Sequence, residues 1–161
     1  MCQLVNWTIQ KLGTSCAKKL TNSKLSKLKI NFMSSIFTKI INGEIPCYKI
    51  TENEDFIAFL DVNPNAKGHT LCVPKQEINK IFDMEEALYL GLMAFSRKVA
   101  IALEKTVPCK RIGVAVVGLE VPHTHVHLIP LQDMDDMRFQ RKTTLTPEEF
   151  STLAQQIAEN L

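Results

Sequence analysis

The sequence has no long hydrophobic segment. Its 161 residues are 45% hydrophobic, yet no apolar run approaches the roughly 20 residues that a membrane-spanning helix requires. The first residues also lack the uninterrupted apolar stretch of a secretory signal. We therefore expect a soluble, cytoplasmic protein without a membrane partner. The length and hydrophobic content suit one globular domain that forms its core without disulfides.

Paired cysteines are missing as well. The five cysteines form an odd number, and none of them stands in a Cys-x-x-Cys motif. Without a secretory context this composition does not indicate a disulfide framework. We expect reduced thiols that are mostly packed in the interior.

Acidic residues are absent from the first 32 positions, which carry six lysines and show no sustained hydrophobic period. The other 129 residues hold 13 basic and 17 acidic side chains, a net charge of −4. The overall charge of +2 therefore does not indicate a nucleic-acid partner for the folded part. We predict that residues 1–33 form a basic extension, disordered or spuriously translated, and that the domain spans 34–161, with Met33 as a candidate start residue. A transit peptide and a nucleic-acid-binding tail are alternative interpretations of the extension.

Turn residues divide the first half of the domain into short elements. Asn42-Gly43, Pro46 and residues 64–68 mark turns and loops, and strands are predicted at 56–60 and 69–73. Apolar residues then recur every three or four positions, which predicts a long amphipathic helix over 83–105. Asp83 and Glu86 at its start have the spacing of a capping box.

The second half is predicted to return to strands and to end in a helix. Strands are expected at 112–117 and 124–129, joined by a short connection at 118–120. Thr146, Pro147 and Glu149 have the order of an N-cap, a first helical residue and a capping-box partner, and Leu145 and Phe150 stand in staple positions. Without regular βαβ alternation, this order predicts an α+β fold. We expect an antiparallel sheet of about five strands with one long central helix and a C-terminal helix.

Three of the four histidines, His123, His125 and His127, alternate along one short run. On a strand this spacing places the three imidazoles on one face. Imidazole is neutral and nucleophilic near pH 7, so a central histidine between two others is a candidate for covalent catalysis at phosphorus. Two other interpretations remain open from the spacing. The run could hold zinc through His-x-His, or it could be an exposed strand whose histidines have no function.

The run from His123 to Ile129 resembles the signature of the histidine triad family, in which three alternating histidines precede two apolar residues. Segments 35–46, 59–64 and 68–75 are similar to the family's other conserved blocks and occur in the same order. The resemblance covers about residues 34–130. Within the family it is similar to the branch of nucleoside phosphoramidases and nucleotide hydrolases.

The resemblance implies an enzyme that forms a nucleotidyl-histidine intermediate, usually as a homodimer whose sheets join, and we expect no cofactor. It assigns the nucleophile to His125 and further catalytic roles to His123, His127 and His69. It assigns Asp61 to the ribose hydroxyls. Five apolar side chains would form the cleft for the base: Ile36, Phe37, Ile40, Phe59 and Val62. From the residues alone, Asp61 could be only a turn former, and the apolar five could be ordinary core.

Two departures from the family bear on function. Gly118-Leu119-Glu120 stands where many relatives carry Gly-Gln-Ser or Gly-Gln-Thr. Leu119 cannot donate a hydrogen bond, and Glu120 adds negative charge near a phosphate. Another branch holds structural zinc through a Cys-x-x-Cys and a further histidine, whereas this chain has Ser35, Thr38 and Glu77 at those positions. We therefore expect no structural zinc.

The sequence thus predicts cleavage of a nucleoside monophosphate joined to an amine, an acyl group or a second phosphate. Two alternatives belong to other functional classes. One is a nucleotide-binding regulatory module with little turnover, which the departures at Leu119 and Glu120 favour. The other is a zinc-binding protein that uses the histidine cluster.

Overall fold

The computed structural model describes residues 34–140 and 142–161. The predictions for residues 1–33 lie outside this part. The helices are α1 (Ile36–Ile41), α2 (Glu86–Thr106) and α3 (Pro147–Ala158), and 3-10 turns cover Ile81–Asp83 and Met134–Met137. The strands are β1 (Lys49–Glu52), β2 (Phe56–Leu60), β3 (Thr70–Pro74), β4 (Arg111–Ala115) and β5 (Val126–Leu131). None of the described helices is long and apolar enough to cross a bilayer.

The five strands form one sheet in the order β1-β2-β3-β5-β4, and every neighbouring pair is antiparallel. One face of the sheet packs against α2 and α3 through a core that includes Ala58, Cys72 and Leu128. The opposite face carries a smaller apolar cluster that Phe37 of α1 joins. Because both faces are covered, every residue of β2 and β3 is buried. The predicted α+β class, with a sheet of about five strands, a long helix and a C-terminal helix, is confirmed.

The C-terminal helix begins as the sequence predicts. The Thr146 side chain accepts a hydrogen bond from the Glu149 N–H, the Glu149 carboxylate accepts one from the Thr146 N–H, and Pro147 is the first helical residue. Phe150 is buried in the main core, and Leu145 packs against that core. The capping box and staple therefore fix the start of α3.

The long helix begins later than predicted, and its expected capping box is wrong. Asp83 ends a 3-10 turn, and Glu85 is the N-cap of α2 but makes no side-chain capping bond. Leu92, Phe95, Val99 and Leu103 are buried as their spacing predicts. The spacing of the apolar residues thus predicted the helix correctly, whereas the capping motif did not predict where it begins.

Strand boundaries shift by one to two residues, and one strand was missed. The strand expected at 69–73 is observed at Thr70–Pro74, and those expected at 112–117 and 124–129 are observed at Arg111–Ala115 and Val126–Leu131. Residues 116–125 therefore form a longer loop than the predicted connection at 118–120. Gly118 adopts a φ of 69° there, and the Thr124 N–H bonds to the Ile78 carbonyl and not to β4. β1 was not predicted because its four residues are too few to show a clear alternation.

Candidate active site

A cavity of about 510 Å³ opens on the face of the sheet that carries α1. Its walls include every residue that the family resemblance assigns to nucleotide binding: Ile36, Phe37, Ile40, Phe59, Asp61 and Val62. His125 and His127 also line the cavity. Ile36 and Val62 are 49% and 69% exposed, so part of the apolar wall is open to a ligand. The cavity therefore has an apolar region next to a polar region that contains two imidazoles.

Asp61 and His69 lie side by side because they follow and precede paired strands. Leu60 of β2 pairs with Thr70 of β3, and the Asp61 N–H bonds to the His69 carbonyl. Gly68, just before His69, has a φ of 88°, and a Cβ there would lie 2.9 Å from Val107 Cγ2. Only glycine suits this position, because the backbone is left-handed and the space is filled.

The Asp61 side chain stabilises the turn that follows β2 and also lines the cavity. Its Oδ1 accepts a hydrogen bond from the Asn63 N–H at 2.8 Å. Its Oδ2 lies 3.6 Å from His69 Nδ1, which is too long for a hydrogen bond. One carboxylate oxygen thus stabilises the loop, while the second remains available to a ligand in the cavity.

His69 and His127 form a hydrogen-bonded pair whose protonation can be assigned. The Asn65 N–H donates to His69 Nδ1 at 3.1 Å, so this nitrogen carries no proton. His69 Nε2 therefore carries the proton and donates to His127 Nδ1 at 3.0 Å. Consequently, the proton of neutral His127 is on Nε2. Burial lowers the pKa of both His69 and His127 to about 3, so both rings are neutral at physiological pH.

His125 has the opposite tautomer. Its Nδ1 lies 2.7 Å from the carbonyl oxygen of His123, which can only accept, so Nδ1 carries the proton. In the neutral ring Nε2 then has a lone pair, and it has no hydrogen-bond partner among the described residues. The Phe37 ring packs edge-on against His125, with centroids 4.9 Å apart. The His125 and His127 rings lie 4.7 Å apart, which places a nucleophilic nitrogen beside a donor.

His123 is fully buried and does not line the cavity. Its Nε2 donates to the Pro74 carbonyl at 2.8 Å, and its Nδ1 lies 2.7 Å from the Ser35 hydroxyl. Both ring nitrogens are therefore engaged inside the protein.

The expectation that all three histidines alternate along one strand is corrected by the structure, because β5 begins at Val126 and only His127 lies within it. The alternation is retained on the other side of the run, where Val126 and Leu128 point into the main core. His123 and His125 precede the strand, and His123 is held by bonds to Pro74 and Ser35.

Metal binding fits these donors poorly. Asp61, His69 and His127 offer ligand atoms within 4.8 Å of one another, but the Nδ1 lone pairs of both histidines already accept hydrogen bonds. His123 offers no free nitrogen to a zinc site built from the three-histidine run. Ser35, Thr38 and Glu77, which stand at the positions of zinc ligands in another branch of the family, contact one another through hydrogen bonds.

Among the cavity residues that sequence reasoning missed are Phe139 and Lys142. The Phe139 ring packs edge-on against His127, with centroids 4.9 Å apart, and its backbone has a φ of 57°. Lys142 Nζ donates to the Asn63 carbonyl and to Asn65 Oδ1, and its charge contributes to the low pKa values of His69 and His127. Both residues follow β5 in an irregular segment without periodicity, so no sequence signal indicated them.

The loop before the histidines forms the remaining wall of the cavity through Val117, Leu119, Glu120 and Val121. Leu119 is 89% exposed, and neither it nor Glu120 makes a side-chain hydrogen bond among the described residues. The departures at Leu119 and Glu120 therefore lie at the cavity mouth.

Comparisons with known proteins match this chain to one family. The sequence model of the HIT domain matches residues 42–134. A HIT-like protein of Borreliella burgdorferi is 36% identical over 135 residues, which cover 78% of this chain and 97% of the relative. The adenosine 5'-monophosphoramidase HNT1 of Saccharomyces cerevisiae is 35% identical over 118 residues, 73% of this chain and 75% of the relative. A crystal structure of a HIT-like protein from Bartonella henselae superposes with a TM-score of 0.70 at 30% identity, covering 80% of this chain and 96% of that one. Because the family model matches more than half of the chain and these relatives are similar to it in sequence and fold, the chain belongs to the histidine triad family.

Proposed function

We propose that the chain cleaves a nucleoside monophosphate conjugate, with His125 as the nucleophile. The observation that carries this proposal is the pair of complementary tautomers in one cavity. His125 presents an unprotonated Nε2, and neighbouring His127 presents a protonated one. A nucleophile next to a neutral donor is the arrangement that covalent transfer at phosphorus needs.

In the proposed reaction, His125 Nε2 forms a bond to phosphorus while the bond between phosphorus and the leaving nitrogen or oxygen breaks. The leaving atom keeps the electron pair of that bond and accepts a hydrogen bond from His127 Nε2. Water then attacks phosphorus, the bond to His125 breaks, and the nucleoside monophosphate departs. Across both steps water supplies the oxygen gained by phosphorus and the proton gained by the leaving group.

The walls of the cavity offer partners for the rest of the nucleotide. The free oxygen of Asp61 suits ribose hydroxyls, and Phe37 and Phe59 provide apolar surface for a base. Among the described residues that line the cavity, Lys142 is the only lysine or arginine. We assign it to the negative charge of the phosphate or leaving group. The yeast relative named as an adenosine 5'-monophosphoramidase supports a phosphoramidate as the first substrate to test.

A second candidate function is a nucleotide-binding regulatory module with little turnover. It is favoured by the loop at the cavity mouth, where Leu119 has no hydrogen-bond donor to offer a leaving group and Glu120 adds negative charge. Such a protein would bind the nucleotide through the same walls. Its turnover of a phosphoramidate would be no faster than that of the His125→Ala variant.

The test is to trap the covalent intermediate. The full chain is mixed with adenosine 5'-phosphoramidate, quenched, digested and analysed by mass spectrometry for a nucleotidyl adduct on His125. We expect the adduct in the wild type and none in His125→Ala, which should still bind AMP because Asp61 and the apolar wall are unchanged. His127→Ala is the matched control, in which the adduct should form more slowly, by about 10² to 10³ for the loss of one donor. Turnover without an adduct on His125, or turnover abolished by a chelator and restored by zinc, would overturn the proposal.

A further inference from the structure

A group of polar residues around His123 lies outside the cavity. It consists of Ser35, Thr38, Glu77 and His123, none of which lines the cavity. Ser35 and His123 are buried, whereas Glu77 is at the surface. We call this group the Ser35 cluster. It connects the N-terminus of α1 to the loop that precedes β5.

The donors and acceptors of the Ser35 cluster follow from groups that have only one possible role. The Pro74 carbonyl can only accept, so His123 Nε2 carries a proton. Burial lowers the pKa of His123, which favours the neutral ring, in which Nδ1 is an acceptor. The Ser35 hydroxyl must therefore donate to His123 Nδ1, at 2.7 Å. The Thr38 hydroxyl donates to the Glu77 carboxylate, which also accepts from the Ser35 N–H at 3.2 Å. These bonds lower the pKa of Glu77, the one from Thr38 most strongly.

The Ser35 cluster is connected to His125 through the peptide group between His123 and Thr124. The carbonyl of His123 accepts the His125 Nδ1 proton at 2.7 Å. The N–H of the same peptide, on Thr124, donates to the Ile78 carbonyl at 2.7 Å. With the His123 ring held at both nitrogens and the peptide held at Thr124, the carbonyl has a fixed direction. That direction determines which nitrogen of His125 carries the proton.

Helix capping alone does not require this arrangement. An N-cap side chain needs only to accept, and Ser35 Oγ does so from the Thr38 N–H at 3.1 Å. The proton of the same hydroxyl is used separately, on His123. Ser35 thus has one role in α1 and another in the histidine run. The second role would be lost in any side chain that caps without donating.

We propose that Ser35, Thr38 and Glu77 are positioning residues, which act through His123 to keep His125 in the tautomer with Nε2 unprotonated. His123 in this assignment orients the nucleophile and does not touch the substrate. The kinetic consequence rests on the proposed function of His125, but the tautomer itself does not. The two can therefore be tested separately in the same protein.

The first measurement is the nitrogen and proton resonances of the histidine rings in the ¹⁵N-labelled full chain. Wild type should show a protonated Nε2 on His123 and a protonated Nδ1 on His125. Ser35→Gly removes the hydroxyl at little cost to the cap, because glycine is tolerated at this position. We expect it to shift His123 Nδ1 and to give a mixture of tautomers at His125. Ser35→Thr, which restores both roles, should return the wild-type signals.

The matched control is Thr146→Gly, which makes the same kind of change at the N-cap of α3. It should leave all four histidine signals unchanged. If Ser35→Gly also leaves the His125 signals unchanged, the proposal is wrong, whether or not His123 Nδ1 shifts. Should Ser35→Gly fail to fold, Glu77→Ala at the exposed end of the cluster decides the question. A mixture of tautomers at His125 then supports the proposal, and an unchanged His125 spectrum overturns it.

Turnover of adenosine 5'-phosphoramidate gives the second measurement. We expect kcat to fall about tenfold in Ser35→Gly, which corresponds to about 1.4 kcal/mol of transition-state stabilisation, with KM changed by less than about twofold because the cavity walls are intact. Thr146→Gly should match the wild type. A fall in kcat equal to that of Thr146→Gly would contradict the positioning role. If the wild type itself does not turn over, the proposed function fails, while the ring resonances still decide the role of the Ser35 cluster.

Discussion

His69 Nε2 lies 3.0 Å from His127 Nδ1, and the backbone N–H of Asn65 determines the direction of the hydrogen bond between them. Because Asn65 donates to the far side of the His69 ring, His69 must donate to His127. His127 must then present its own proton to the cavity. Asn65 thereby determines, through His69, which tautomer of His127 faces the substrate.

Replacing His69 should therefore affect His127 and leave the cavity walls that bind the nucleotide largely unchanged. In His69→Ala the bond to His127 Nδ1 is lost, His127 can exchange its tautomer, and we expect kcat to fall roughly tenfold or more with AMP affinity retained. His69→Gln keeps an amide donor and should recover part of the loss. Steady-state kinetics, with AMP binding by calorimetry, would measure both effects. A loss of AMP affinity as large as the loss of kcat would contradict the assignment.

Stability should depend on pH through the same pair. Burial lowers the pKa of His69 and His127 to about 3, against about 6.5 in the unfolded chain. Protons therefore bind to the unfolded chain first, and the free energy of unfolding should decrease as the pH falls from about 6.5 towards 3. At pH 5 each ring should lower the free energy of unfolding by about 2 kcal/mol relative to its value at neutral pH.

Urea unfolding at pH 7.5 and at pH 5 would measure this dependence. The matched control is His69→Gln, which has one titrating ring fewer and should lose less stability over the same interval. An identical loss in the wild type and the variant would show that His69 is not held neutral.

Lys142 should contribute more to the affinity for charged ligands than to the affinity for neutral ones. Lys142→Met keeps the length of the side chain and removes its charge, so we expect AMP to bind roughly fivefold more weakly, or about 1 kcal/mol for an exposed ion pair. Adenosine should bind equally well to both proteins, and added salt should weaken AMP binding less in the variant. Lys110→Met, which changes an exposed lysine outside the cavity wall, is the control. Equal losses for AMP and adenosine would show that Lys142 acts on structure and not on charge.

The edge strand of the sheet is a candidate contact for a second copy of the chain. β4 is the terminal strand of the described sheet, and Val114 on it is 51% exposed. On α2, Leu90 and Ile101 are 55% and 39% exposed. We expect a symmetric homodimer in which two β4 strands pair and the two α2 helices meet. Light scattering at micromolar concentration should give twice the chain mass, and Val114→Arg should give a monomer. A monomeric wild type would contradict this expectation without bearing on the chemistry.

The apolar pattern predicted the fold well, and its errors arose where local signals competed with tertiary contacts. The periodicity of Leu92, Phe95, Val99 and Leu103 identified α2, because those side chains fill the main core. The Asp83 and Glu86 capping box failed because Asp83 is used in a 3-10 turn. Short β1 was missed because only Ile50 in it is buried.

The candidate site was predicted only as far as its residues lie in recognisable motifs. Every apolar residue assigned to the cleft, and Asp61 with it, lines the cavity. The tautomers could not be predicted, because they depend on acceptors that are distant in the sequence, such as the Pro74 carbonyl for His123. Phe139 and Lys142 were missed because they come from an irregular segment after β5.

The shared hydroxyl of Ser35 has a consequence for how the protein tolerates mutation. Ser35 stabilises α1 and contacts His123 through the same oxygen atom, so the effect of a substitution at position 35 depends on the residue at position 123. The losses of stability in the two single variants should together exceed the loss in the double variant, because the bond between the two residues can be lost only once. Evolutionary drift at one position would then depend on the other, and a change at His123 would relax the requirement for serine at position 35.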